Sequence, residues 1–161
     1  MPYTMRRSNR MLDEKSALRI LQDGEYGILS TCGEDGYPYG VPVNYVFSEG
    51  RIFFHCAANA GHKLANLRFC DKVCFTVVGS HSVDEAGFTD RYESVICFGT
   101  ARLLADDTQK RSALLALVEK YSPNHREQGL KLIESALSRT DICEIVITAM
   151  SSKGNRKDAA D

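Results

Sequence analysis

The chain has 161 residues, 43% of them hydrophobic and 25% charged. That length can bury about two-thirds of the unfolded surface around one core, and the balance excludes a disordered or fibrous protein. Twenty Lys and Arg against 21 Asp and Glu leave a formal charge of -1, which removes the global field that draws a protein to nucleic acid or an acidic membrane.

Asp13 stands before the amphipathic run of Glu14, Ala17, Leu18 and Leu21, and Gly24 follows it. This predicts a short helix with an aspartate N-cap and a glycine stop. Three β-rich runs come next, at residues 26–32, 39–47 and 51–57, joined by an Asp35-Gly36 turn and a Glu49-Gly50 turn. Turns this tight predict a meander of antiparallel neighbours. Pro42 interrupts the middle run and cannot donate a ladder hydrogen bond, so an edge, bulge or barrel rim is expected there. Leu64 and Leu67 predict one or two helical turns within residues 59–68, capped from Asn59 or the Gly61 region.

Residues 73–78 form a fourth β-run, 79–90 a polar loop, and 92–104 a long fifth strand in which Gly99 marks a bulge. Leu114, Leu117, Val118 and Tyr121 share one helical face, and Leu130, Ile133 and Leu137 define a second helix. Residues 142–149 close the fold as a sixth strand, and the polar stretch 151–161 reads as a flexible tail. The expected fold class is α+β, a six-stranded antiparallel barrel with peripheral helices. A single domain over residues 1–161 is expected.

No stretch reaches the roughly 20 apolar residues of a membrane span. The basic start MPYTMRRSNRMLDEK has no apolar run behind it, so a cytoplasmic protein without membrane or nucleic-acid partners is expected. Cysteines at 32, 56, 70, 74, 97 and 143 are scattered singly through the apolar runs with no Cys-x-x-Cys, which suits reduced, buried thiols. His55, Cys56 and His62 lack the paired spacing of a metal site. Only Cys70 and Cys74 approach it, across a helix end and a strand, so no metal is expected. No nucleophile elbow surrounds Ser30 or Ser94, and neither glycine-rich nucleotide fingerprint is present.

The segment His55-Cys-Ala-Ala-Asn-Ala-Gly-His-Lys63 is the most informative, because a strand end, a small-residue turn and a helix start converge with a cation in the first helical turn. A positive charge there opposes the helix dipole at a cost of roughly 0.3–1 kcal/mol. Either Lys63 projects into water, where that cost is screened, or it joins the free amides in holding a phosphate. Asn44, beside the irregular Pro42 strand, could offer hydrogen bonds to the polar edge of a planar heterocycle; an ordinary bulged edge is the other reading.

Ser30-Thr31, Asp35-Gly-x-Pro38, Pro42-Val-Asn-Tyr45, Phe54-His-Cys-Ala57 and Gly61-His-Lys-Leu64 together resemble the FMN-binding split β-barrels related to pyridoxamine 5'-phosphate oxidase. Within these the chain looks most like the nitroimidazole-resistance (Nim) group, whose opening Met5-Arg-Arg7 and Arg10 also resemble. The likeness runs from about Met5 to Ala149. It implies a homodimer with two flavins, FMN or FAD, at the subunit interface. By position, Gly61, His62 and Lys63 would meet the phosphate, and Pro42, Val43 and Asn44 would border the isoalloxazine. His55, Cys56 and Ala57 would line the ribityl chain, and Ser94 and Val95 would come from the partner.

True pyridoxamine-phosphate oxidases carry Arg-Lys where this chain has His62-Lys63, and no Arg-rich substrate-phosphate motif follows, which argues against vitamin B6 oxidation. The implied activity is that of a flavin-dependent oxidoreductase acting on a small molecule, a nitroimidazole reductase-like protein, in which the cofactor does the chemistry. His62 is the candidate catalytic residue, since histidine suits proton delivery to a reduced nitro group. The alternative is a split barrel that carries flavin, deazaflavin or haem without turnover.

Overall fold

This computed structural model describes residues 4–155. The Asp13 carboxylate accepts the Ser16 amide at 2.8 Å and opens helix α1 (Glu14–Asp23), which ends at Gly24 and lays Ala17, Ile20 and Leu21 into the core. Strands β1 (Gly27–Cys32) and β2 (Pro38–Val43) form one antiparallel hairpin, and β3 (Val46–Ser48) and β4 (Arg51–Ala57) another. Helix α2 (His62–Phe69) leads to the long hairpin of β5 (Lys72–Asp84) and β6 (Thr89–Leu103). Helices α3 (Asp107–Tyr121) and α4 (Arg126–Ala136) precede β7 (Thr140–Asn155).

The strands form one antiparallel sheet in the order β2-β1-β5-β6-β7-β4-β3. Its two outermost strands, β2 and β3, are consecutive in the chain and separated only by Asn44 and Tyr45. Three Cα–Cα steps span at most about 11 Å, so the sheet has to roll round until its edges meet. The result is the expected split barrel, with seven strands where six were expected.

The extra strand comes from the run at residues 39–47, which is two strands on opposite edges of the sheet and not the middle of a meander. The break occurs because side chains take the backbone of Tyr45 away from any ladder. The Tyr121 hydroxyl accepts from the Tyr45 N–H at 2.9 Å and donates to the Glu25 carbonyl at 2.6 Å, with the Tyr45 carbonyl 2.7 Å away as a second acceptor. The Lys120 ammonium donates to the Tyr45 and Gly24 carbonyls at 3.1 and 2.6 Å. Tyr45 itself is fully buried, its hydroxyl donating to the Leu21 carbonyl at 2.7 Å.

The expected polar loop at 79–90 is largely ladder. Past an irregularity between Val78 and Ser80, pairing resumes and continues to Asp84 and Thr89. Residues 79–83 are exposed on both faces, so the alternation that marks a half-buried strand is missing from the sequence. The first part of the expected tail, Ser151 to Asn155, is also strand. The register of β6 on β7 shifts between Phe98 and Gly99, leaving Thr148 as an extra residue on β7. Before it Cys143 and Ile145 face the core; after it Met150 packs on the core and Ser152 and Gly154 turn inward. The rest of that tail lies outside the described residues.

Leu29, Ile52, Phe54, Phe75, Val77, Val95, Cys97 and Ile145 fill the barrel. Burial pushes the Cys97 and Cys143 thiols up to about 12, which keeps them protonated, whereas Cys32 at the end of β1 is exposed, contrary to the expectation of buried thiols. The buried carboxylate of Glu144 lies between Arg51, at 2.6 Å, and Arg102. Burial alone would raise its pKa, but the two guanidiniums together hold it below the usual carboxylate range.

Replacing Tyr121 with Phe strands the Tyr45 N–H without changing side-chain volume much. The expected loss is about 1–3 kcal/mol, read as a lower denaturation midpoint with an unchanged m-value. An unchanged midpoint would show that the corner does not depend on this hydroxyl.

Candidate functional site

Strand β4 ends in a tight reversal that aims α2 across the barrel end. The Ala58 amide donates to the Arg139 carbonyl at 3.0 Å and the Asn59 amide to Asp141 Oδ2 at 3.1 Å, which pins the turn to the start of β7. Asn59 and Gly61 have positive φ values of 57° and 98°. A Cβ on Gly61 would meet nothing within 4 Å, so glycine is required here by the backbone and not by crowding, and the space before α2 is open.

Gly61 is the N-cap of α2 and supplies no side chain to it, whereas α1 and α3 are capped by Asp13 and Asp106. The Leu64 and Ala65 amides reach the Gly61 carbonyl at 3.1 and 3.3 Å. The His62 and Lys63 amides precede the first carbonyl they could use within the helix. No acidic residue stands in this first turn.

The helix is held by Leu64 and Asn66, both buried. Asn66 Nδ2 donates to Thr31 Oγ1 at 3.0 Å, and Gly33 beside it leaves room for the Asn66 side chain. Thr31 is the register partner of Tyr39, whose ring meets that of His62 at a centroid distance of 4.1 Å and an angle of 32°.

His55 and Ala57 are exposed on the outer side of β4, while Cys56 points into the core. Lys63 lies close enough to act on both titratable neighbours. His55 keeps an exposed face, but partial loss of water around its ring lowers its pKa and the Lys63 ammonium lowers it further; burial raises that of Cys56, with Lys63 partly offsetting it. Pro42 pairs with Ile28 on β2, and Val43 with Gly27. Asn44, its amide donating to the Glu25 carbonyl at 3.1 Å, lines a cavity of about 410 Å³ together with His55.

Ser94 and Val95 sit in the middle of β6, away from this group. Val95 is fully buried, so its side chain cannot meet a ligand of its own or a partner chain. Ser94 lines a groove of about 730 Å³ with Met11, Ile96, Phe98 and Met150. The structure therefore gathers His55, Cys56, Ala57, Gly61 and Lys63, and it sets Asn44 on the same cavity as His55. His62 turns instead to Tyr39, because adjacent helical residues diverge by about 100°.

Sequence reasoning gave no role to the anchors that aim this turn, Thr31, Asn66 and Tyr39, although Ser30-Thr31 entered the family resemblance. Asn66 carried a signal: a polar residue between Leu64 and Leu67 on a short helix has to be exposed or bonded inside. Tyr39 carried none, since its partner is 23 positions away.

The family profile described as Pyridoxamine 5'-phosphate oxidase matches residues 13–154, which takes in the hairpins, the α2 turn and β7 almost to its end. The chain belongs to this family. No curated protein matches the sequence. Solved structures share the family's fold at low identity. A candidate 5-nitroimidazole antibiotic resistance protein from Bacteroides thetaiotaomicron is 20% identical, with a TM-score of 0.75 over 89% of this chain and 85% of that one. A flavocytochrome from Azotobacter vinelandii is 20% identical, with a TM-score of 0.82 over 99% of this chain and 75% of its own. An FAD-binding protein from Mesorhizobium loti is 21% identical, with a TM-score of 0.68 over 91% and 97%.

Among the described residues, no helix of this family member is long and apolar enough to cross a membrane. Asn66→Leu should loosen α2 from β1 by leaving Thr31 without its donor, at a cost of about 1–3 kcal/mol. The effect belongs to α2: amide exchange at residues 62–69 should speed up more than in the barrel core. Uniform acceleration would mean that Asn66 serves general stability only.

Proposed function

We propose that the protein is a flavin-dependent oxidoreductase that binds FMN or FAD through a phosphate at the N-terminus of α2. One observation carries this reading. The first turn of α2 is uncapped, opens onto free space at Gly61, and holds Lys63 where the helix dipole opposes a cation. A phosphate bound there uses the amides, the dipole and the ammonium at once.

The donor set fits that group. In this reading Gly61 and His62 offer backbone amides and Lys63 its ammonium to the phosphate. His55, Ala57 and the backbone of Cys56 follow the ribityl chain, and Pro42, Val43 and Asn44 border the ring. Ser94, with the backbone of Val95, comes from a second copy of the chain; the groove beside Ser94 carries the exposed Met11 and Phe98, apolar surface of the kind a two-fold partner covers. A bound flavin supplies hydride or electron transfer. The protein positions it and excludes water, and His62, steadied by the Tyr39 ring, carries a proton to the substrate. Reduction of nitroimidazoles is the activity this reading favours, supported by the likeness to the Bacteroides protein.

Titration of apoprotein with FMN tests the assignment. Lys63→Ala removes a charge-assisted contact worth about 1.5–3 kcal/mol and should weaken binding roughly 10- to 150-fold. Its thermal midpoint should not fall, because the same change removes an unfavourable charge from the helix start. Both proteins should scatter light as dimers of about twice 17.9 kDa. Equal dissociation constants would remove Lys63 from the site, a monomer would remove the second copy, and a haem absorption spectrum in purified protein would favour the haem-carrying alternative.

His55 provides a second check. Partial desolvation and Lys63 hold its pKa below the ordinary histidine value in the free protein, and a phosphate beside Lys63 counters the second cause. The bound-state pKa is then the higher one, so binding takes up a proton and affinity should rise as pH falls between the two values. Imidazole titration by NMR with and without FMN reads the shift directly, and an unmoved His55 would place the phosphate elsewhere.

A further inference from the structure

A cavity of about 410 Å³ lies between β4 and the α3–α4 pair, within the range of small-molecule sites. Leu114, Leu117, Val118, Leu132 and Ile133 form most of its wall, and His55 stands on the strand side. None of the lining residues is an Asp, Glu, Lys or Arg. The space is not slack between poorly packed helices. At Gly129, α4 approaches α3 so closely that a Cβ would run into Val118, so the pair is clamped at one point and the cavity opens beside it.

Several polar groups on the wall are already engaged. The Tyr121 hydroxyl serves Tyr45 and Glu25, the Thr140 hydroxyl donates to the Ala136 carbonyl at 2.9 Å, and the Asn44 amide donates to the Glu25 carbonyl. The His55 imidazole has no such engagement among the described residues. Partial desolvation and the neighbouring Lys63 ammonium lower its pKa, which favours the uncharged ring with one N–H and one lone pair.

We propose that this cavity binds an uncharged, mainly apolar small molecule bearing a carbonyl-type acceptor, such as an aryl ketone or a quinone, oriented by the His55 N–H. A charged ligand would give up water there to walls that carry no charged side chain, a cost the apolar contacts do not return. Nor does the cavity suit a flavin ring, whose pyrimidine edge needs several donors and acceptors where these walls are chiefly carbon. The cavity shares His55 and Asn44 with the flavin site proposed above but none of the α2 turn, and its apolar wall on α3 and α4 does not depend on that reading.

The uncharged fluorescent aryl ketone Prodan serves as the probe. It should bind wild type saturably with a blue-shifted emission, while the anionic dye anilinonaphthalene sulfonate binds at least about 10-fold more weakly. Ala136→Phe, which puts a phenyl group on the cavity wall, should weaken Prodan at least about 10-fold. His55→Phe, which removes the donor and keeps the volume, should weaken it about 2- to 12-fold. Equal affinity in the Ala136 variant, or equal affinity for the anionic dye, overturns the proposal.

Should Ala136→Phe fail to fold, the His55 imidazole resonances of wild type decide: movement during the Prodan titration supports the site, and no movement overturns it. FMN and Prodan share only His55 and Asn44, so saturating FMN should weaken Prodan by no more than His55→Phe does; complete displacement would assign the cavity to the flavin and overturn the inference. Prodan binding by a protein that takes up no FMN would sustain the cavity and remove the flavin reading.

Discussion

The peptide groups of Tyr45 bond to side chains and not to a strand, and the closure of the barrel follows from that substitution. A continuous strand from Pro38 to Ser48 would have built an open meander. Instead, Tyr121 and Lys120 from the end of α3 take the Tyr45 N–H and carbonyl, and the chain leaves one edge of the sheet and joins the other. The Lys120 ammonium also lies 4.2 Å from the centre of the Tyr45 ring. Burial lowers the Lys120 pKa, the cost of placing a cation there; two carbonyls and an aromatic face offset it.

That corner ties three parts of the molecule together. The end of α1, the rim of the barrel and the C-terminal turn of α3 share Gly24, Glu25 and Tyr45 as acceptors. With α3 anchored, the cavity beside His55 has a fixed wall. In the turn that follows β4 the logic is reversed. The α2 turn leaves amides uncapped and a cation against the dipole, while Asn66 and Leu64 hold the helix in place from its buried side. Local rules are broken at the candidate site and kept around it, the distribution expected where binding and not stability selects the residues.

Much of this was legible from local chemistry. Asp13 and Gly24 bracketed α1, and Gly99 marked the bulge. Lys63 drew attention for its misplaced charge, which the structure places at the start of α2. What could not be read depended on partners distant in sequence. The break at Asn44 and Tyr45 needs Tyr121, 76 residues on. Ser151 to Asn155 read as tail because Thr148 resets the alternation, and a shift of one residue reverses which side chains face inward. The α3–α4 cavity had no signal, since its apolar walls look like core in a linear sequence.

The place of β7 in the sheet bears on how the molecule is made. The last described strand lies between β4 and β6, so until residues 140–155 are made the sheet lacks the strand that joins β3–β4 to β2-β1-β5-β6. The segment before α1 waits equally long, because Leu12 is tied by two hydrogen bonds to Ser152. The strand edges of β4 and β6 thus stay uncovered until β7 pairs with them, and unpaired edges are where aggregation competes with folding. Loss of residues 147–155 would uncover β6 from Tyr92 to Gly99 while leaving the pairing of β4 in place.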